Sequence, residues 1–256
     1  MDGQAIFQRM YICFASIKQG WSQGCRKVIG LDGCFLKGIS TGQLLSAVGR
    51  DANNQVYPIA WAVVDVETMN NWSWFVHLLK DDLSLNNGDG VAITSDQHKG
   101  LIESVRSILP NAEHRNCARH VYSNFSKRWP GVQFRHLFWE AAKCTYVEKF
   151  DSIMQKLKDI NEEAYHHLAD KRPATWSRAF YREGFDCDVV EIGICECWNS
   201  MIKDARKKPI IRMLEEIRMK VMVRLMDQRT SADKWSSEIC ANGSMCTLFM
   251  NFVCVL

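Results

Sequence analysis

The chain has 256 residues, 47% of them hydrophobic, with 32 Lys+Arg against 29 Asp+Glu, enough apolar material for one large or two small cores. That composition excludes a disordered or fibrous chain, and a formal net charge of +3 is too mild to name a partner. The eleven cysteines are scattered without the spacing of a disulfide framework, which points to a reducing compartment, cytosol or nucleus.

In chain order, MDGQAIFQRMYICF carries an early acid and no basic run before its apolar residues, so no signal peptide is expected. KVIGLDGCFLKG reads as a first strand, and QLLSAVGRDANNQVYPIAWAVVDVE as two more joined by the turn signal RDANNQ. In NNWSWFVHLLKDDLSL, Trp72, Phe75, Leu79 and Leu83 recur at helical steps, with Asn71 as the expected N-cap. GVAITS is a fourth strand ending at Asp96, KGLIESVRSIL a helix closed by Pro110, and NAEHRNC a fifth, edge strand before a helix near Cys117. From about Val121 to Tyr181 only helical periodicity remains, with stripes at Phe134, Leu137, Phe138 and Ala141 and at Phe150, Ile153, Met154 and Leu157. A long helical stretch follows from Ile194 to about Arg229, with a break expected at Lys208-Pro209. The final 20 residues have no clear periodicity, and their apolar run MCTLFMNFVCVL is shorter than the roughly 20 residues of a membrane span.

Three carboxylates could carry chemistry. Asp32 interrupts an apolar strand, where a charge must be offset by hydrogen bonds, a cation or a metal; the plain alternative is a turn aspartate in Asp-Gly. Asp96 ends a strand, the usual place for ligand-binding groups in open α/β sheets, and could equally cap the helix after it. Glu196 shares a helical side with Asn199, Lys203 and Arg206, opposite Ile194, Trp198, Met201, Ile202 and Ala205; an ordinary amphipathic surface helix gives the same pattern. Together the three are hard oxygen donors from separate elements, as two Mg²⁺ ions require.

His114, Cys117 and His120 include a C-x-x-H spacing, open either to zinc or to a supporting role beside the site. Between Lys203 and Arg229, nine Lys/Arg stand against four Asp/Glu, either a phosphate-binding surface or a helix face laced with ion pairs.

The stretches CRKVIGLDGCFLKG, ITSDQHKGL, LPNAEHRNCARHVYSNF and CECWNSMIKDARKKPIIRMLEEIR, with the segments between them, resemble the central region of plant Mutator-like element (MULE) transposases over about residues 7–236. The resemblance implies an α/β fold: an RNase H-like five-stranded mixed sheet flanked by helices, with an all-helical insertion before the last catalytic helix. It divides the chain into a lead-in (1–26), a catalytic core (27–130 and 190–208), the insertion (131–189), a basic C-terminal helix (209–236) and a divergent tail (237–256). It carries the catalytic, metal-holding set onto Asp32, Asp96 and Glu196, with Asn199 in support and the C-x-x-H element on Cys117 and His120. Lys203, Arg206, Lys207 and Lys208 are the expected DNA contacts.

By the same resemblance the protein is nuclear, uses two Mg²⁺ or Mn²⁺ ions, and acts on double-stranded DNA, as terminal inverted repeats and as target. Zinc at His114, Cys117 and His120 and a homo-oligomer stay open, and no membrane is involved. Where the family has an amide pair before the glutamate, this chain has Ile192 and Gly193, and the zinc-type modules of full-length relatives are missing. The competing readings are a non-enzymatic descendant serving as a DNA-binding or protein-interaction regulator, and a generic nuclease.

Overall fold

The structure is a computed structural model that describes residues 7–184, 189–191 and 193–232; Ile192 and the tail 237–256 lie outside the described residues. The fold is mixed α/β. Its strands are β1 (Met10–Ile12), β2 (Cys25–Phe35), β3 (Gln43–Asp51), β4 (Val56–Val64), β5 (Ala92–Ser95) and β6 (Glu113–Asn116), in the sheet order β1-β4-β3-β2-β5-β6. Neighbours from β1 to β2 run antiparallel, whereas β2–β5 and β5–β6 run parallel. The sheet therefore has six strands where the sequence predicts five. The extra strand, Met-Tyr-Ile, is too short to show an alternation, and its pairing with Trp61–Val63 on the edge of β4 creates it.

The described helices are α1 (Ala15–Gly24), α2 (Met69–Leu83), α3 (Lys99–Ile108), α4 (Ala118–Ser126), α5 (Val132–Lys143), α6 (Val147–Ile160), α7 (Glu162–Ala169), α8 (Gly193–Met201) and α9 (Ile210–Ala232). Trp72, Phe75, Leu79 and Leu83 of α2 are buried as their spacing predicts. Its cap is Thr68 rather than Asn71: the Thr68 hydroxyl accepts from the Asn71 N–H at 3.2 Å. The Asn71 amide, inside the helix, donates instead to Asp65 Oδ1 and the Val66 carbonyl.

Strand register sets two faces. Gly49 of β3 lies under Trp21 of α1, and the Tyr57 hydroxyl of β4 donates to the Ile17 carbonyl at 3.0 Å. On the other face α8 lies over β2, β3 and β4. Its Trp198 is 1% exposed, packs 5.8 Å from Trp61 and donates its indole N–H to Ser46 Oγ at 2.9 Å. Because Ser46 stands opposite Asp32 in the β2–β3 ladder, Asp32 points to the same face as α8.

A second apolar core gathers α4 to α7. Phe125, Phe138 and Trp176 are stacked within it, and the stripe Phe150, Ile153, Met154 and Leu157 is buried there as its periodicity predicts. The helical stretch after Ile194 breaks at Pro209, where Lys208 is driven into the extended region, and also earlier, after Met201. None of the seven described cysteines, Cys117 and Cys195 among them, forms a disulfide with another described residue.

Trp198→Ala removes a buried indole and its bond to Ser46 together, and is expected to cost about 3–5 kcal/mol in urea unfolding, against about 0.5 kcal/mol or less for Val132→Ala at a 72% exposed site. Equal losses at the two positions would contradict the packing described.

Candidate active site

The site is built on two adjacent parallel strands, where β5 ends beside the later part of β2. In the β2–β5 ladder Leu31 pairs with Ser95, so Asp32 and Asp96 occupy the next position on each strand. A carboxylate at the edge of a buried strand loses hydration, and a second one beside it adds repulsion. Both effects act on Asp32: burial first, then the charge of Asp96, push its carboxyl up to about 6. The Asn199 amide of α8 works against them, donating to Asp32 Oδ2 at 2.6 Å. Asp96 is not the helix cap. His98 caps α3, while Asp96 Oδ1 accepts from the His98 N–H at 2.9 Å.

Cys117 N–H donates to the Ser95 carbonyl at 2.8 Å, extending the β5–β6 pairing and seating the start of α4 beside Asp96. One turn on, His120 is held up to about 9, mainly by its hydrogen bond to Cys117 and then by the pull of Cys117, Asp32 and Asp96, in spite of burial. Its Nδ1 is buried without a hydrogen-bond partner among the described residues. His114 does not join this pair; its Nε2 meets Ser95 Oγ at 2.8 Å, and burial lowers it to about 4. The three residues proposed for zinc are thus split between two environments.

Glu196 stands one turn before Asn199 on α8. It pairs with Arg119 of α4, which also donates through Nε to Glu191 at 3.0 Å. Among the described residues no three His, Cys, Asp or Glu side chains stand in metal-binding geometry. The structure brings together Asp32, Asp96, His120 and Asn199, and leaves Glu196 on the rim with an arginine as its counter-charge.

Glu67, just before α2, is a neighbour that the sequence reading misses. It adds to the negative field on Asp32, accepts from Trp72 Nε1 at 2.9 Å, and lies so close to Gly33 that a Cβ there would meet its Oε2 at 2.9 Å. Its only sequence signal is an acid immediately before a capping threonine in VETMNN.

The basic segment is corrected in part. Arg206 is 7% exposed and donates to the carbonyls of Phe35 at 3.0 Å and Asn199 at 3.2 Å, so it staples the end of β2 to α8 and does not face a phosphate. Lys207 pairs with Asp204 and Lys208 with Glu216, both at the surface. Lys203 is exposed and forms no ion pair with a described residue.

The donor set fits a hard divalent cation. Asp32 and Asp96 bring two oxygen donors side by side, and the His120 imidazole, held cationic, stands beside them as a charge and not as a donor. Since Asp32 binds its proton more tightly folded than unfolded, where its pKa is about 3.9, the stability it contributes is full below pH 4 and is lost as pH rises through 6. Asp32→Asn should flatten this slope and make the variant about 2 kcal/mol more stable than the wild type at pH 7 without added metal. Urea unfolding at pH 4 and pH 7 measures it; an equal difference at both would show that Asp32 titrates normally.

Compared with known families, residues 28–124, from β2 into α4, match the model of the MULE transposase domain. No curated protein sequence matches the chain.

Proposed function

We propose that this chain, which carries a MULE transposase domain over residues 28–124, is a DNA transposase catalytic core of the Mutator type, cutting phosphodiester bonds at element ends and joining the freed 3′-hydroxyls to target DNA. The observation that carries the reading is the side-by-side placement of Asp32 in β2 and Asp96 just past β5, with a helix some 160 residues later in the chain reaching back to the same carboxylate through Asn199. Three antiparallel strands, with two parallel strands added beyond the first of them, support an RNase H-like assignment for this sheet. The helices between α4 and α8, with their own apolar core, are the proposed insertion at 131–189, and 190–208 returns to the catalytic core.

Asp32 and Asp96 would hold Mg²⁺ or Mn²⁺, joined by Glu196, which lies one turn before Asn199 on the same face of α8. Bound there, such ions would activate a water or 3′-hydroxyl and stabilise the leaving oxygen. The protein's own groups prepare the site. Asn199 fixes the Asp32 carboxylate and favours its charged form; His120 keeps a positive charge beside the two aspartates across the neutral range. Arg119 neutralises Glu196 and Glu191 and holds α4 to the start of α8. Exposed Lys203 is free to meet a phosphate, and the surface pairs of Lys207 and Lys208 are weak enough for DNA to displace. The chain would act in the nucleus on double-stranded DNA.

The test is nicking of a duplex carrying the inverted repeats of its own element, with Mg²⁺ or Mn²⁺. Cleavage should vanish with a chelator and with Asp32→Ala, and fall about 10–100-fold with Asn199→Ala, the loss typical of a group that orients a metal-binding carboxylate. Cleavage indifferent to Asp32→Ala would sink the reading.

A further inference from the structure

A cavity of about 430 Å³ opens between α3, the end of β6 and the turn after α7. Its size falls within the range of small-ligand sites, which are apolar with a few fixed polar groups. Ile102 of α3, with Pro110 and Ala112 beyond its end, gives the apolar wall. Two amides also line it: Gln97, directly after Asp96, and Asn116, whose Nδ2 is taken by Thr175 at 2.8 Å so that its carbonyl oxygen remains to accept.

The lining also includes three cations, Arg106, Lys171 and Arg172, and one acid, Asp170. Lys171 and Arg172 form no side-chain ion pair among the described residues, and Arg106 has only an exposed pair with Glu103 at 3.2 Å. The guanidinium of Arg106 is close enough to help depress His114. Arg172 also holds a left-handed backbone, φ 52°, unusual for a side chain of its size. Three cations in excess over their acids, lining one cavity with apolar residues and amide acceptors, are complementary to a ligand that joins an anion to a flat heterocycle.

We propose that this cavity binds one nucleotide, with the phosphate on Lys171, Arg172 and Arg106, and the base against Ile102, Pro110 and Ala112 with its edge toward Asn116 and Gln97. The site uses none of the proposed metal-holding carboxylates. A free nucleoside monophosphate and the terminal nucleotide of a DNA strand share the required chemistry.

Isothermal titration calorimetry of the whole chain in EDTA separates this from the transposase reading, which needs a metal. The probes are dAMP, deoxyadenosine, inorganic phosphate and a 5′-phosphorylated trinucleotide. The expected result is that dAMP binds more tightly than either deoxyadenosine or phosphate alone, and that Lys171→Ala and Arg172→Gly each weaken it about tenfold. Glycine suits the left-handed backbone at 172, so that variant is expected to fold. A trinucleotide binding as well as dAMP assigns the site to a strand end, and dAMP alone assigns it to a free nucleotide. Phosphate binding as tightly as dAMP, no binding of dAMP or the trinucleotide, or unchanged affinity in both variants would overturn the proposal.

Discussion

The parallel pairing of β2 with β5 is the constraint on which the site depends. Backbone hydrogen bonds fix the register, the register puts Asp32 and Asp96 side by side, and the buried sheet around them removes the water that would screen two like charges. The surrounding structure answers that cost in part: an amide comes from α8 and a cationic imidazole from α4, while Glu67, which Gly33 lets lie against the strand, adds to it. Each comes from a different element, so the geometry of the carboxylates reflects the packing of the whole sheet layer.

Two apolar cores divide the work. The sheet core holds the strands and α8 through Trp198, while the aromatic core of α4 to α7 stands beside it. Helix α4 belongs to both concerns: Cys117 before it bonds to β5, His120 and Arg119 on it face the site, and Val121 and Phe125 sit in the aromatic core. The residues matched by the family model end within this helix, where the chain leaves one core for the other.

Much of this architecture is legible in the residues. Alternation and continuous apolar runs mark β2 to β5, and 3.6-residue stripes mark α2, α5, α6 and α8, because burial of one face is the dominant energy in each. The two aspartates are legible as charges in places that resist charge. What escapes is decided by pairings between distant segments. β1 exists only as an addition to β4; Thr68 outcompetes Asn71 for the cap because Asn71 has better partners in Asp65 and Val66; and Glu67 gains its role from its closeness to Gly33. Glu196 and Arg206 share the helical side that periodicity gives them, yet one meets Arg119 and the other a strand-end carbonyl, outcomes that no helical wheel contains.

The bond between Asn199 and Asp32 joins positions 167 residues apart, and Arg206 reaches back 171 residues to Phe35. Contacts of such separation are late and entropically costly to close. During synthesis, therefore, the three-stranded meander and its α1 face are complete while the α8 face is still bare, with Ser46, Trp61 and Asp32 awaiting a helix not yet made. The acidic centre takes shape only once that helix arrives, which links the maturation of the site to synthesis of the chain through Met201.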